Sequence, residues 1–76
     1  MPEMKGEIVG LHIVRYPTTG ASYGYVTIKT HGHEKVELKI ESAESVESMK
    51  IGDWVVVEYK MYENSDFLFA SRITKA

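Results

Sequence analysis

Ile51-Gly52-Asp53-Trp54-Val55-Val56-Val57-Glu58-Tyr59 restricts the fold more than any other stretch of the chain. A Gly-Asp pair signals a turn, and a β-branched run follows it at once, so a loop gives way to a buried strand. The strand is predicted from about Asp53 to Met61, with Val55, Val57 and Tyr59 facing opposite to Trp54, Val56 and Glu58. It needs partners, and four other segments show strand logic.

The first, from Lys5 to about Tyr16, has largely apolar residues on both faces: Val9, Leu11 and Ile13 on one, Ile8, His12 and Val14 on the other. That suits a strand that bends and serves two sheets, and Gly10 inside it is where a coil or bulge is expected. Residues Pro17 to Ser22 read as a connection. The second strand, Tyr23 to Thr30, places Val26 and Ile28 inward and Tyr23, Tyr25, Thr27 and Lys29 outward. The third, Glu34 to Glu41, sets Val36, Leu38 and Ile40 against Lys35, Glu37 and Lys39. Inward residues are even-numbered on both strands, so facing pairs must sum to an even number. That parity demands an odd loop, most simply the three residues His31-Gly32-His33, because a two-residue turn would put one apolar face in water. A polar hairpin loop, Tyr62 to Asp66, leads to the fifth strand, Phe67 to about Ile73, with Leu68 and Ala70 on one side and Phe67 and Phe69 on the other.

Between the third and fourth strands the alternation stops. Ala43, Val46 and Met49 recur every third residue, Ser42 can cap, and Glu44 suits a helix N-terminus, so one or two helical turns are predicted over Ser42 to Met49. Residues 1–76 are expected to form one domain. With no cysteine in the chain, stability must come from packing the 43% of residues that are apolar. A closed barrel helps by removing free sheet edges.

Strand, strand, strand, short helix, strand, strand is the chain order of the oligonucleotide/oligosaccharide-binding fold, the OB-fold, which the chain resembles over almost its whole length. The resemblance is carried by the long glycine-containing first strand, by the helical segment, and by Lys50-Ile51-Gly52-Asp53-Trp54-Val55 leading into the fourth strand. Leu68-Phe69-Ala70-Ser71-Arg72-Ile73 also looks like the closing strand of short prokaryotic single-domain barrel proteins. A Gly-Asp before a valine-rich strand occurs in SH3-like barrels too, so the order of elements carries the assignment: an all-β, five-stranded, OB-like closed barrel of order βββαββ.

The resemblance implies a ligand across strands two and three, flanked by the loops joining strands one to two and four to five. At those positions stand Arg15, Tyr16, Tyr23, Tyr25, Lys29, Lys35, Lys39 and Tyr62. Aromatic faces stack on exposed bases for ~1–3 kcal/mol each, and lysines beside them can track phosphates. The expectation is weak single-stranded nucleic-acid binding. Against it, formal net charge is −2, and Glu34, Glu37 and Glu41 interleave with the lysines. The plainer reading is a solvated sheet face on which tyrosine serves as a strand former.

A second reading starts from Trp54, Val56, Phe67 and Phe69. If the outward faces of strands four and five adjoin, four large apolar groups there suggest a protein interface or homodimer contact. The alternative is a different register, or coverage by the N-terminal segment. His31 and His33 share one side of a loop, yet a third ligand for a metal is not evident, and polar hairpin histidines are the simpler account.

No Gly-rich phosphate loop, catalytic triad spacing or cysteine nucleophile is present, so no enzyme activity, cofactor or small-molecule substrate is expected. No apolar run approaches the ~18 residues of a membrane span. Met1-Pro2-Glu3-Met4-Lys5 lacks the pattern of a secretory signal. A cytoplasmic location is the expectation.

Overall fold

The structure is a computed structural model, which describes residues 2–15, 17–19, 22–40, 48–64 and 66–76. Five strands follow in chain order: β1 Glu3–Arg15, β2 Ser22–Thr30, β3 Lys35–Ile40, β4 Trp54–Met61 and β5 Leu68–Lys75. They close into a barrel with neighbours β1-β2-β3-β5-β4, β4 returning to β1. All pairs are antiparallel except β3 with β5, which run parallel through Leu38–Leu68, Lys39–Phe69 and Ile40–Ala70.

Among the described residues there is no helix. Most of the segment expected to be helical, Ser42 to Met49, falls on 41–47, outside the described residues. Ser48 lies in a turn, and Met49 packs against the core.

Ile8, Val26, Ile28, Leu38, Val55 and Val57 are fully buried, and Ile40, Ala70 and Ile73 join them in the interior. Met4, Leu11, Val36, Tyr59 and Leu68 pack against it. The even-numbered positions of β2 and β3 therefore point inward, as their alternation requires. The pairs Val26–Leu38 and Ile28–Val36 set the register. The loop closes as the parity argument demands. Thr30 N–H donates to Glu34 O (2.9 Å) and His33 N–H to Thr30 O (3.0 Å), which encloses the three residues His31, Gly32 and His33. The left-handed residue of this loop is His33, at φ 65°, not the glycine before it.

Two bulges shift the alternation. On β1, Ile8 faces Ile28 while Gly10 faces Thr27, so Val9 is the extra residue. Ile8 and Leu11, three apart, thereby both serve the interior, and His12 faces outward beside Tyr25. On β5, Tyr59 faces Ala70 and Glu58 faces Arg72, so Ser71 is extra, and Ile73 joins Ala70 in the core. The Ser71 hydroxyl oxygen is buried and has no hydrogen-bond partner among the described residues.

The Gly-Asp turn is a four-residue device. Asp53 N–H donates to Lys50 O (3.1 Å), and Gly52 sits at φ 102°, the value that the third position of a type II turn demands. Asp53 Oδ2 accepts from Lys50 N–H at 2.9 Å, and the Lys75 ammonium stands 3.9 Å from the same oxygen. The turn is sewn to β1: Gly52 N–H donates to Ile8 O (2.8 Å) and Ile8 N–H to Asp53 O (2.9 Å). A local turn signal thus becomes a barrel-closing contact.

Strand extents differ modestly from the sequence expectation. β1 begins at Glu3 because Glu3 and Met4 pair with Glu58 and Val57 of β4. β5 reaches Lys75 because that residue pairs with Val55. β1 meets β4 only through Glu3–Glu7, so its second half lies beside β2 as a ribbon that extends past the closed part of the barrel.

Candidate nucleic-acid interface

One transverse row of outward residues crosses the whole barrel. His12 of β1 faces Tyr25 of β2, Tyr25 faces Lys39 of β3, Lys39 faces Phe69 of β5, and Phe69 faces Lys60 of β4. Rings and ammonium groups share one line because each strand contributes an outward residue at the same height. Neighbouring strands are ~4.8 Å apart, so the row spans about 19 Å.

The side chains confirm the line. The His12 and Tyr25 rings stack with centroids 5.4 Å apart and 28° between planes. Tyr62 meets Phe69 edge to face at 4.9 Å. The Lys39 ammonium lies 4.1 Å from the Phe67 ring centre, and that of Lys60 lies 5.1 Å from Tyr62. A groove of about 370 Å³ opens along the row, lined by His12, Tyr23, Gly24, Tyr25, Lys39, Ile40 and Phe69. Tyr23 (47%), Tyr25 (41%), Tyr62 (47%) and Phe67 (53%) remain well exposed beside these contacts.

Gly24 shapes the floor. A Cβ built there would run into the His12 carbonyl, so β1 and β2 approach at this point only because the side chain is missing. No carboxylate is among the described residues that line the groove. Glu37 faces Thr27, two residues along β2 from Tyr25, which moves it out of the row.

Of the residues singled out from the sequence, Tyr23, Tyr25 and Lys39 line this groove, with Tyr62 against its edge. Lys29 and Lys35 face each other four residues further along β2 and β3. Arg15 faces Ser22 at the tip of the β1–β2 ribbon. Tyr16 is outside the described residues.

The four-residue apolar patch expected on β4 and β5 does not form. The register sets Phe69 opposite Lys60 and Val56 opposite Thr74, so Phe67 and Phe69 lie at the far end of β4 from Trp54, some six residues or ~20 Å away. Phe69 belongs to the transverse row instead, and Phe67 lies against its Lys39. Trp54 lies against His31, ring centres 5.2 Å apart, and Val56 is half-buried between Lys5 and Thr74. His31 thus has an aromatic neighbour, and no group of three His, Cys, Asp or Glu able to hold a metal gathers among the described residues.

His12, Lys60, the membership of Phe69 and the place of Phe67 against Lys39 escaped sequence reasoning. For His12 a signal existed: a bulge at Gly10 reverses the face of every later β1 residue. For Phe69 the signal is the parallel β3–β5 pairing, which joins strands far apart in the chain.

Comparisons of the chain with protein-family models, with curated proteins and with solved structures find no match.

Proposed function

We propose that this chain is an OB-type barrel that binds single-stranded nucleic acid across β2, β3 and β5. The β1-β2-β3-β5-β4 order with parallel β3 and β5 supports the OB reading. The observation that carries the functional reading is the alternating row His12, Tyr25, Lys39, Phe69, Lys60. It offers rings for bases and ammonium groups for phosphates on one open line.

The chemistry suits sequence-tolerant binding. Stacking is available to every base, and two lysines at the row give a salt-sensitive but modest electrostatic term, consistent with a net charge of −2. No reaction is assigned to the groove, which is half-open to solvent.

A labelled mixed-sequence oligonucleotide, titrated at low salt, tests this. Binding in the micromolar range is expected, and Tyr25→Ala weakens it by about 5- to 150-fold, the equivalent of ~1–3 kcal/mol for one stacked base. Absence of binding at tens of micromolar, or an affinity indifferent to Tyr25→Ala, removes the proposal. A protein or homodimer contact is the rival, resting on exposed Met61, Tyr62 and Phe67 around the β4–β5 loop. Light scattering at high protein concentration separates the two, because a monomer there leaves the rival without its simplest form.

A further inference from the structure

The same outer surface carries a second, smaller recess of about 150 Å³, lined by Glu7, Lys29, Thr30, His31, His33 and Trp54. Its hub is Glu7, which is the cross-strand neighbour of both Lys29 on β2 and Trp54 on β4. A carboxylate, an ammonium and an indole therefore stand side by side on three adjacent strands. Trp54 is 45% exposed although a tryptophan buries well, and among the described residues its ring neighbour is His31 at a 30° tilt. Small-molecule pockets usually run ~300–1,000 Å³, so a recess of this size suits one planar ring system rather than a whole cofactor.

We infer that this recess takes a single nucleobase, stacked on Trp54 and read by Glu7, and that it prefers guanine. An ionised carboxylate only accepts hydrogen bonds. Guanine presents two adjacent donors on its Watson–Crick edge, N1–H and N2–H, and so offers a carboxylate a bidentate partner. Adenine and cytosine place one amino donor beside a bare ring nitrogen. Uracil and thymine flank their one N–H with carbonyl oxygens that a carboxylate repels. Lys29, Thr30 and His33 also line the recess and are the groups available to sugar and phosphate, while His31 already lies against the Trp54 ring.

The inference rests on the strand-binding reading only for the route between the two sites. Lys29 lies four residues from Tyr25 on the same strand and face, or ~13 Å. That is about four stacked-base rises of ~3.4 Å, within the ~4–16 nucleotides that one OB barrel covers.

Trp54 is the single tryptophan of the chain, so its indole N–H resonance needs no assignment. Titration of the ¹⁵N-labelled full chain with GMP, AMP, CMP and UMP is expected to move that resonance. GMP should half-saturate at a concentration at least about fivefold below the other three, the low end for a bidentate base contact. Glu7→Gln removes the preference while AMP still shifts the indole signal. An indole resonance that ignores GMP, or four equal titration curves on the unmodified protein, overturns the inference. Oligothymidylate contains no guanine, and its dependence on Tyr25 reports on the larger groove by itself. If it binds and the nucleotides do not discriminate, only this inference falls. If GMP is preferred and oligothymidylate does not bind, the base site stands and the strand-binding reading falls.

Discussion

Gly52 permits a clean test of how the Gly-Asp turn closes the barrel. Its φ of 102° lies where an L side chain is strained, and a Cβ built there meets nothing within 4 Å. Substitution with alanine therefore changes backbone energy alone, with no packing gained or lost. Holding an L residue in a left-handed conformation costs ~1–2 kcal/mol. Loss of glycine's freedom in the unfolded chain returns ~0.4–1 kcal/mol. Gly52→Ala should thus destabilise by about 0.8 kcal/mol, within a span of roughly 0–1.6, which at the mid-value lowers Tm by about 5 °C for a domain of this size. The mirror-image residue separates the terms. D-alanine at position 52, placed by chemical synthesis, accepts positive φ and keeps the entropic gain, so it should stabilise by ~0.4–1 kcal/mol.

Urea unfolding of the three proteins measures the differences, with m unchanged if the folded state is preserved. Hydrogen exchange at the Ile8 and Gly52 amides, which bond across the turn in the native protein, reveals whether alanine flips the turn instead of bearing the strain. An L-alanine protein more stable than the parent, or a D-alanine protein no better than the L form, refutes the reasoning.

The β2–β3 loop makes an unexpected assignment, because His33 and not Gly32 bears the positive φ. His33→Gly should raise stability by about 0.5 kcal/mol, and Gly32→Ala should be neutral or slightly stabilising by urea midpoint; a loss above ~1 kcal/mol at Gly32 contradicts the geometry. Ser71→Ala removes a buried hydroxyl without a partner among the described residues, so it should be neutral or up to ~1 kcal/mol stabilising in thermal unfolding, whereas a loss of that size means the hydroxyl is bonded. Lys39→Gln should reduce the slope of log affinity against log salt for oligothymidylate by about 0.7, as one phosphate contact on a single strand requires; an unchanged slope places the phosphates elsewhere.

Much of the barrel is legible in the chain because strand alternation is local. Val26, Ile28, Val36, Leu38 and Ile40 share a parity, and that parity set both the β2–β3 register and the length of its loop. Gly52-Asp53 marked a turn, although not its bonds to Ile8. Tyr23, Tyr25 and Lys39 could be placed on an outer face for the same reason.

The site as a unit was decided by contacts that alternation does not encode. The bulge at Val9 turned His12 toward Tyr25, and the one at Ser71 let Ile73 join Ala70 inside, since one extra residue reverses every side chain beyond it. Parallel pairing of β3 with β5 brought Lys39 to Phe69 across a long stretch of chain. The β4–β5 register then drew Phe67 and Phe69 away from Trp54 and left Trp54 beside Glu7 and His31. A two-residue period records which way each side chain points along its own strand. Which strands lie side by side, and at what height, depends on the closure of the whole barrel, and that closure assembled the aromatic row.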